Sequence, residues 1–170
     1  FKNEKVKPAL VLKTSSAGFS VLDRENTIKK IKQVLGKDYG LVPIYLIHGD
    51  LTEAEMNGLY EHPKVKAMLN FTKGEGFGRP LLEFSLAGKP ILVSNWSGHL
   101  DFLKEGAILL DGELKNVHPS AADQFLLKEA KWFSVNISEA LTKMKDVYKN
   151  YSKYLPGSTK LAKHNRQTFI

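Results

Sequence analysis

The residues best placed to do chemistry lie in one short stretch, Thr72-Lys73-Gly74-Glu75-Gly76-Phe77-Gly78-Arg79-Pro80-Leu81-Leu82-Glu83. It holds three glycines, two cations and two carboxylates, set between an apolar run from Val65 to Phe71 and a second run from Pro80 to Ala87. Pro80 suits a first helical residue, because its missing N–H would be unpaired there in any case, and Gly88 falls where a left-handed cap is wanted. The pattern predicts strand, glycine loop, helix. Glycines let a ligand come close to the backbone, and the first turn of a helix presents unpaired N–H groups with a partial positive charge. Phosphate or a dense set of hydroxyls fits such a place. Glu83, about one turn into the helix, is favoured in its ionised form, and a carboxylate accepts two hydrogen bonds from a vicinal diol. Glu75 supplies a second acceptor on the loop. A ligand that carries hydroxyls and phosphate together, such as a sugar nucleotide, matches this set.

Other chemistries fit less well. Gly74 and Gly76 match the first two glycines of the dinucleotide fingerprint, but Arg79 stands at the third, and the loop lies too late in the chain for a first βα turn. A purely structural turn with two solvated glutamates is the plain alternative. Paired carboxylates also invite a hydrolase, yet Glu83 sits within a helix beside a phosphate-suited terminus rather than across a cleft. His48, His62, His99, His118 and His164 are scattered and form no HExxH, so no metal site is expected.

The stretch from Glu75 to Leu103 reads E-G-F-G-R-P-L-L-E-F-S-L-A-G-K-P-I-L-V-S-N-W-S-G-H-L-D-F-L. It resembles the donor-binding half of retaining GT-B glycosyltransferases, the superfamily of glycogen synthases and bacterial mannosyltransferases. Those carry Glu-x7-Glu inside an E-G-F-G-x-P-x-x-E-A-x-x-x-G-x-P-V run followed by a small-residue loop. A weaker likeness extends over residues 8 to 112. The resemblance implies that Glu83 holds the ribose hydroxyls and that Glu75, the candidate catalytic residue, contacts the donor sugar. It implies that the amides around Gly76, Phe77 and Gly78 lie against sugar and phosphate. Lys13 falls where the family has a phosphate-binding cation. The chain departs from the family at the second cation, where the next is Arg24, and Lys73 and Arg79 are the nearest substitutes. His48, Ser97 and Gly98, at the exits of two further strands, complete the expected donor site, and Asp101 stands where the family commonly has Glu. The family needs no bound metal for transfer and no cofactor is implied. The partner is a UDP-, GDP- or ADP-sugar. In the family an N-terminal domain supplies the acceptor site, and this chain is expected to lack one. A nucleotide-sugar epimerase shares the layout and stays open as an alternative.

Around this loop the chain alternates strand and helix patterns. Strands are expected at Pro8 to Leu12, ending at Lys13, at Ile44 to Ile47, at Val65 to Phe71, at Pro90 to Val93 and at Ala107 to Leu110. A polar turn follows from Thr14 to Gly18. Helices are expected from Asp23 to Leu35, with Ile28, Ile31, Val34 and Leu35 on one face and Gly36 as the stop, and from a Thr52/Glu55 capping box to Tyr60, with Leu51 stapled on Met56. The turn from Ser94 to His99 opens a helix through Phe102. A loop through Val117-His118-Pro119 leads to helices at Ile137 to Tyr151, with Leu141, Met144, Val147, Tyr148 and Tyr151 inward, and at Ser158 to Thr168. The fold expected is α/β: one Rossmann-like domain over residues 1–170, a parallel sheet with helices on both faces, a lead-in at 1–7 and a C-terminal helical extension at 137–170, half of a GT-B fold. Ligands in such sheets bind at the carboxyl ends of the strands.

With 170 residues and no cysteine, the chain is long enough for one buried core and has no disulfide or thiolate metal site, which agrees with a cytoplasmic setting. No apolar run approaches the roughly 20 residues of a membrane span. The net charge is +7, and from Ile137 onward Lys143, Lys145, Lys149, Lys153, Lys160, Lys163 and Arg166 face only Glu139 and Asp146, a balance of +5. That tail is a candidate nucleic-acid surface, but its aromatic residues recur at helical spacing rather than as stacking platforms, so solvated helix faces are the expectation. The final helix, with Phe169 and Ile170, is expected to pack on the missing domain.

Overall fold

A computed structural model of the chain describes residues 1, 3–14, 20–103, 105–119, 127 and 129–170. The turn expected over Ser15 to Gly18 lies outside them. The chain divides into two compact units, Phe1–Glu55 and Met56–Ile170.

In the first unit, β1 (Leu10–Lys13) and β2 (Ile44–Ile47) pair in parallel, with Lys13 opposite Ile47. Helix α1 (Val21–Leu35) joins them and starts two residues earlier than expected, because the Ser20 hydroxyl oxygen accepts from the Asp23 N–H and caps the first turn. Gly36, with φ of 50°, stops it as foreseen. Ile28, Ile31 and Leu35 are half-buried, whereas Val34 is exposed, being a third of a turn from that stripe. The capping box is present: the Thr52 N–H donates to Glu55 Oε2 at 2.7 Å, and the Glu55 N–H donates to Thr52 Oγ1 at 3.3 Å. The Thr52 N–H, and after it the Thr52 hydroxyl, which donates to the same Oε2 at 2.8 Å, hold the Glu55 carboxyl below its usual range. Helix α2 (Glu53–Glu61) follows and carries the chain into the second unit.

The second unit is built on a parallel sheet in the order β3 (Met68–Asn70), β4 (Ile91–Ser94), β5 (Ile108–Leu110). Every residue of β4 is buried, and alternation sends Ile91 and Val93 into one apolar cluster and Leu92 into another. The first cluster contains Leu81, Leu82 and Phe84 of α3 (Arg79–Ser85), Phe102 and Leu103 of α4 (Leu100–Leu103), and Leu161 of the last helix. The second contains Ala140 and Val147 of α5 (Ile137–Lys149). The sheet therefore has helices on both faces, as expected. Asn136 caps α5 through its side chain, which accepts from the N–H groups of Ser138 and Glu139.

Three expectations are corrected here. The loop expected around Val117 is flanked by an antiparallel pair, β6 (Gly112–Asn116) and β7 (Lys131–Val135). The last helix, α6, runs over Tyr151–Phe169 rather than from Ser158, and contains Pro156. Next to Pro156, Gly157 meets Gly106 so closely that a side chain on Gly106 would reach 2.9 Å from the Gly157 carbonyl oxygen. Leu141 is not inward: the inward stripe of α5 is Ala140, Met144 and Val147, continued by Tyr151 at the start of α6, and Leu141, one position off it, is 51% exposed.

Between α5 and α6, the Asp146 carboxylate accepts from the Tyr154 hydroxyl, from Asn150 Nδ2 at 2.6 Å and from Lys153 Nζ at 3.3 Å. The first of these bonds does most to pull its pKa from 3.8 to about 2, and the same bond pushes the Tyr154 hydroxyl up to about 12. A depressed carboxylate contributes stability above its unfolded pKa and loses it as pH falls through the folded value. Asp146→Asn is expected to flatten the fall in melting temperature between about pH 4 and pH 2. An unchanged slope in a pH series of melts would show that the corner does not act on acid stability.

Candidate functional site

In the second unit β3 leads into residues 71–78, which run along the turn of residues 95–99 at the exit of β4. The Thr72 hydroxyl closes the loop's first turn, donating to the Gly74 carbonyl at 3.0 Å and accepting from the Gly74 N–H at 3.2 Å. The two segments are then tied together. The Glu75 N–H donates to Ser97 Oγ at 3.0 Å, Ser97 Oγ donates to the Glu75 carbonyl at 2.6 Å, and the Gly98 N–H donates to the same carbonyl at 3.1 Å. Ser97 is held with φ of 89°, a left-handed backbone that costs a residue with a side chain on the order of 1–2 kcal/mol. The reciprocal bonds with Glu75 offset that cost, at about 1 kcal/mol each.

Gly98 is there for contact: a side chain on it would meet the Gly76 carbonyl oxygen at 2.0 Å. Gly78, with φ of 87°, is the N-cap of α3, and a side chain there would press on His99 Cβ at 3.2 Å and Leu81 Cδ1 at 3.3 Å. His99 is fully buried, and its Nε2 donates to the Ser94 carbonyl at 2.8 Å, a bond that requires the hydrogen on that nitrogen. It closes the turn of residues 94–99 on itself. Gly76, by contrast, has open space where a side chain would be.

The expected site residues fall into two groups. Glu75, Gly76, Phe77, Gly78, Arg79, Glu83, Ser97 and Gly98 come together in the second unit. Lys13 and His48 belong to the first, at the carboxyl ends of β1 and β2. Among the described residues, no protein group accepts from the N–H groups of Gly76, Phe77 or Gly78. Glu83 lies on α3, where Arg79 Nε donates to its Oε1 at 2.6 Å across one helical turn. Opposite, Leu81, Leu82, Phe84 and Ser85 are buried, so packing decides which way Glu83 faces. Helix α3 is only seven residues long, shorter than the run from Pro80 to Ala87 implied, since the chain turns at Leu86 to reach Gly88 at φ of 65°.

Lys73 is engaged elsewhere than expected. Its Nζ donates to Ser134 Oγ at 3.2 Å and lies 5.0 Å from the centre of the Trp132 ring, while its carbonyl accepts from the Phe133 N–H at 3.2 Å. The Phe133 ring in turn stacks in parallel on Trp96, 5.9 Å between centres. Strand β7 is thus a wall of the candidate site that sequence reasoning missed; the aromatic run Trp132-Phe133 marks a strand but not its place beside the loop.

A groove of about 440 Å³ opens at the other end of α3, lined by Leu86, Gly88, Thr159, Lys163 and Arg166. It is remote in sequence from the loop, and Arg166 already donates there to the Leu86 carbonyl at 3.3 Å. Among the described residues no group of three or more His, Asp or Glu is placed to hold a metal, and no helix is long and apolar enough to cross a membrane. Compared with known proteins, the chain matches no family model and no curated protein at a significant level.

Proposed function

We propose that this chain is the donor-binding part of a retaining GT-B glycosyltransferase, a hexosyltransferase that takes its sugar from a UDP-, GDP- or ADP-sugar. The observation that carries the reading is the row of three backbone N–H groups, Gly76 to Gly78, that have no acceptor among the described residues, on a loop tied to the turn of residues 95–99. A phosphate or sugar oxygen satisfies such donors, and their dipoles are fixed before the ligand arrives. Glu75 stands at the start of that row and Glu83 one helix turn beyond its end. As the bond to the leaving diphosphate breaks, negative charge grows on phosphate and positive charge on the sugar ring, so fixed N–H dipoles and a nearby carboxylate act mainly on the transition state. Within the second unit Arg79 and Lys73 flank the loop as the candidate cations for the diphosphate, each already engaged, Lys73 by Ser134 and Trp132 and Arg79 by Glu83. Arg79 must swing from Glu83, or bind phosphate while holding it. The acceptor belongs to a further domain, so the chain alone binds donor and transfers poorly. The setting that agrees with this chemistry is cytoplasmic.

Calorimetric titration with UDP, GDP, ADP and their sugar conjugates tests the reading. One nucleotide is expected to bind, and Glu83→Ala is expected to weaken it by about 1.5–3 kcal/mol, the scale of a lost charged hydrogen bond, without lowering the melting temperature. If every nucleotide fails to bind the wild type, or Glu83→Ala binds equally well, the loop is a structural turn.

A further inference from the structure

The glycine loop is braced on one side by Ser97 and Gly98, and on its other side by the far end of the chain. Phe77, at the middle of the loop, is 45% exposed, yet its ring lies 5.1 Å from that of Phe102 on α4 and 6.4 Å from that of Phe169 in the last turn of α6. Phe102 and Phe169 complete the triangle at 6.0 Å, edge to face. Phe102 is buried and would be held by the core whatever α6 did. Phe169 is not core: it is 37% exposed, and Ile170 beyond it is 82% exposed. Its ring closes on Phe77.

We infer that Phe169 is a positioning residue for the ligand loop: the C-terminal turn of α6 holds Phe77, and through it the Gly76 to Gly78 amides, in the conformation that accepts a ligand. The inference rests on the donor-site reading for its ligand, but not for the clamp itself. The physical case is one of rigidity. Gly76 and Gly78 give the loop wide backbone freedom, so its amides converge only if something outside the glycines restrains them. Ser97 and Gly98 restrain residue 75. Gly98 packs on the Gly76 carbonyl and His99 on Gly78, and on the outer side the side chain of Phe77 is held by two rings. Helix α6 is itself tied to α3: Asn165 Nδ2 donates to Ser85 Oγ at 2.8 Å in a buried bond, so the clamp and the helix that carries Glu83 move together. A further consequence is that whatever displaces the end of α6 loosens the loop.

The experiment compares wild type, Phe169→Ala, Phe77→Ala, the double variant and Ile170→Ala. Hydrogen exchange reads the Glu75 and Gly98 amides, which are bonded across the loop, and nucleotide titration reads the ligand. An edge-to-face aromatic contact corresponds to about two- to tenfold in an equilibrium, so Phe169→Ala is expected to speed exchange at both amides and weaken binding by that factor. Ile170→Ala is expected to do neither. Phe77→Ala is expected to reproduce the effect, with the double variant no worse than Phe77→Ala, and Phe169→Leu to restore part of it. A clamp is distinguished from general destabilisation by the amides of β4, whose protection is expected to stay unchanged. Unchanged exchange at Glu75 and Gly98 in Phe169→Ala overturns the inference, as does loss of protection spread evenly through the unit. A wild type that binds no nucleotide removes the donor reading instead, and the exchange result then decides the clamp alone.

Discussion

Gly98→Ala is expected to lower the melting temperature by roughly 5–10 °C and to abolish nucleotide binding. The added methyl would sit 2.0 Å from the Gly76 carbonyl oxygen and 3.1 Å from that of Glu75, and both obstacles are backbone. No side-chain rotation relieves the clash, so one of the two segments must withdraw by more than 1 Å, consistent with the 1–3 kcal/mol typical of overpacking. Withdrawal breaks the bond from the Gly98 N–H to the Glu75 carbonyl and loosens both bonds between Ser97 and Glu75. Gly76→Ala is the informative control. Nothing lies within 4 Å of its added methyl, and its backbone is not left-handed, so the melting temperature is expected to stay within about 2 °C. The methyl would nonetheless stand in the space through which a ligand reaches the amides, so binding is expected to fall at least tenfold. Thermal melts and titrations on the two variants separate a loop that matters for folding from one that matters for binding. Equal binding by Gly76→Ala and wild type would mean that no ligand uses this face of the loop.

Phe84→Ala is expected to cost about 3–5 kcal/mol. Phe84 is 2% exposed and meets the Tyr60 ring edge-on at 5.4 Å, 84° between planes. Truncation leaves a cavity that α2, α3 and the sheet cannot close together, because Leu81 and Ile91 around it are already fully packed. The functional consequence follows from geometry. Glu83 precedes Phe84 directly, so the orientation of its carboxylate depends on the anchoring of its neighbour. Denaturant unfolding is expected to show a lower midpoint for Phe84→Ala and none for Glu83→Ala, with both weakening nucleotide binding. An unfolding free energy for Phe84→Ala within about 1 kcal/mol of wild type would show that α3 is not held by this contact. Tyr60 reports the same surroundings from the other side: burial, and then the Glu83 charge, raise its hydroxyl pKa.

Much of the second unit was legible because local chemistry and tertiary need coincide there. Ile91-Leu92-Val93 admits no solvent face, and so predicts a strand covered on both sides, as β4 is. Pro80 and Gly88 mark the two ends of α3 to within two residues for reasons internal to the backbone: a nitrogen with no hydrogen to lose, and a residue at ease with positive φ. The grouping of Glu75, Gly76 to Gly78 and Glu83 was legible too, since a short loop between a strand and a helix leaves the chain little choice. Even the pairing of Arg79 with Glu83 was available in principle from their spacing of one helical turn.

Only the tertiary structure decided what those residues touch from a distance. Lys73 reads as a phosphate ligand until β7 places Ser134 and Trp132 beside it, and the β6–β7 pairing has no local signal, because its strands are joined through residues 117–130 rather than by a short hairpin turn. Ser97 carries no mark of its left-handed backbone, which exists because two long-range bonds to Glu75 hold it there. Nothing local pairs Phe169 with Phe77, and it is α6, continuous through Pro156, that brings the two rings together. Composition, spacing and backbone preference act over a few residues, and so the sequence by itself determined the elements and the loop's donors and acceptors. Packing acts between residues far apart in the chain, and it alone decided which of those groups are braced, which are occupied and which still face outward.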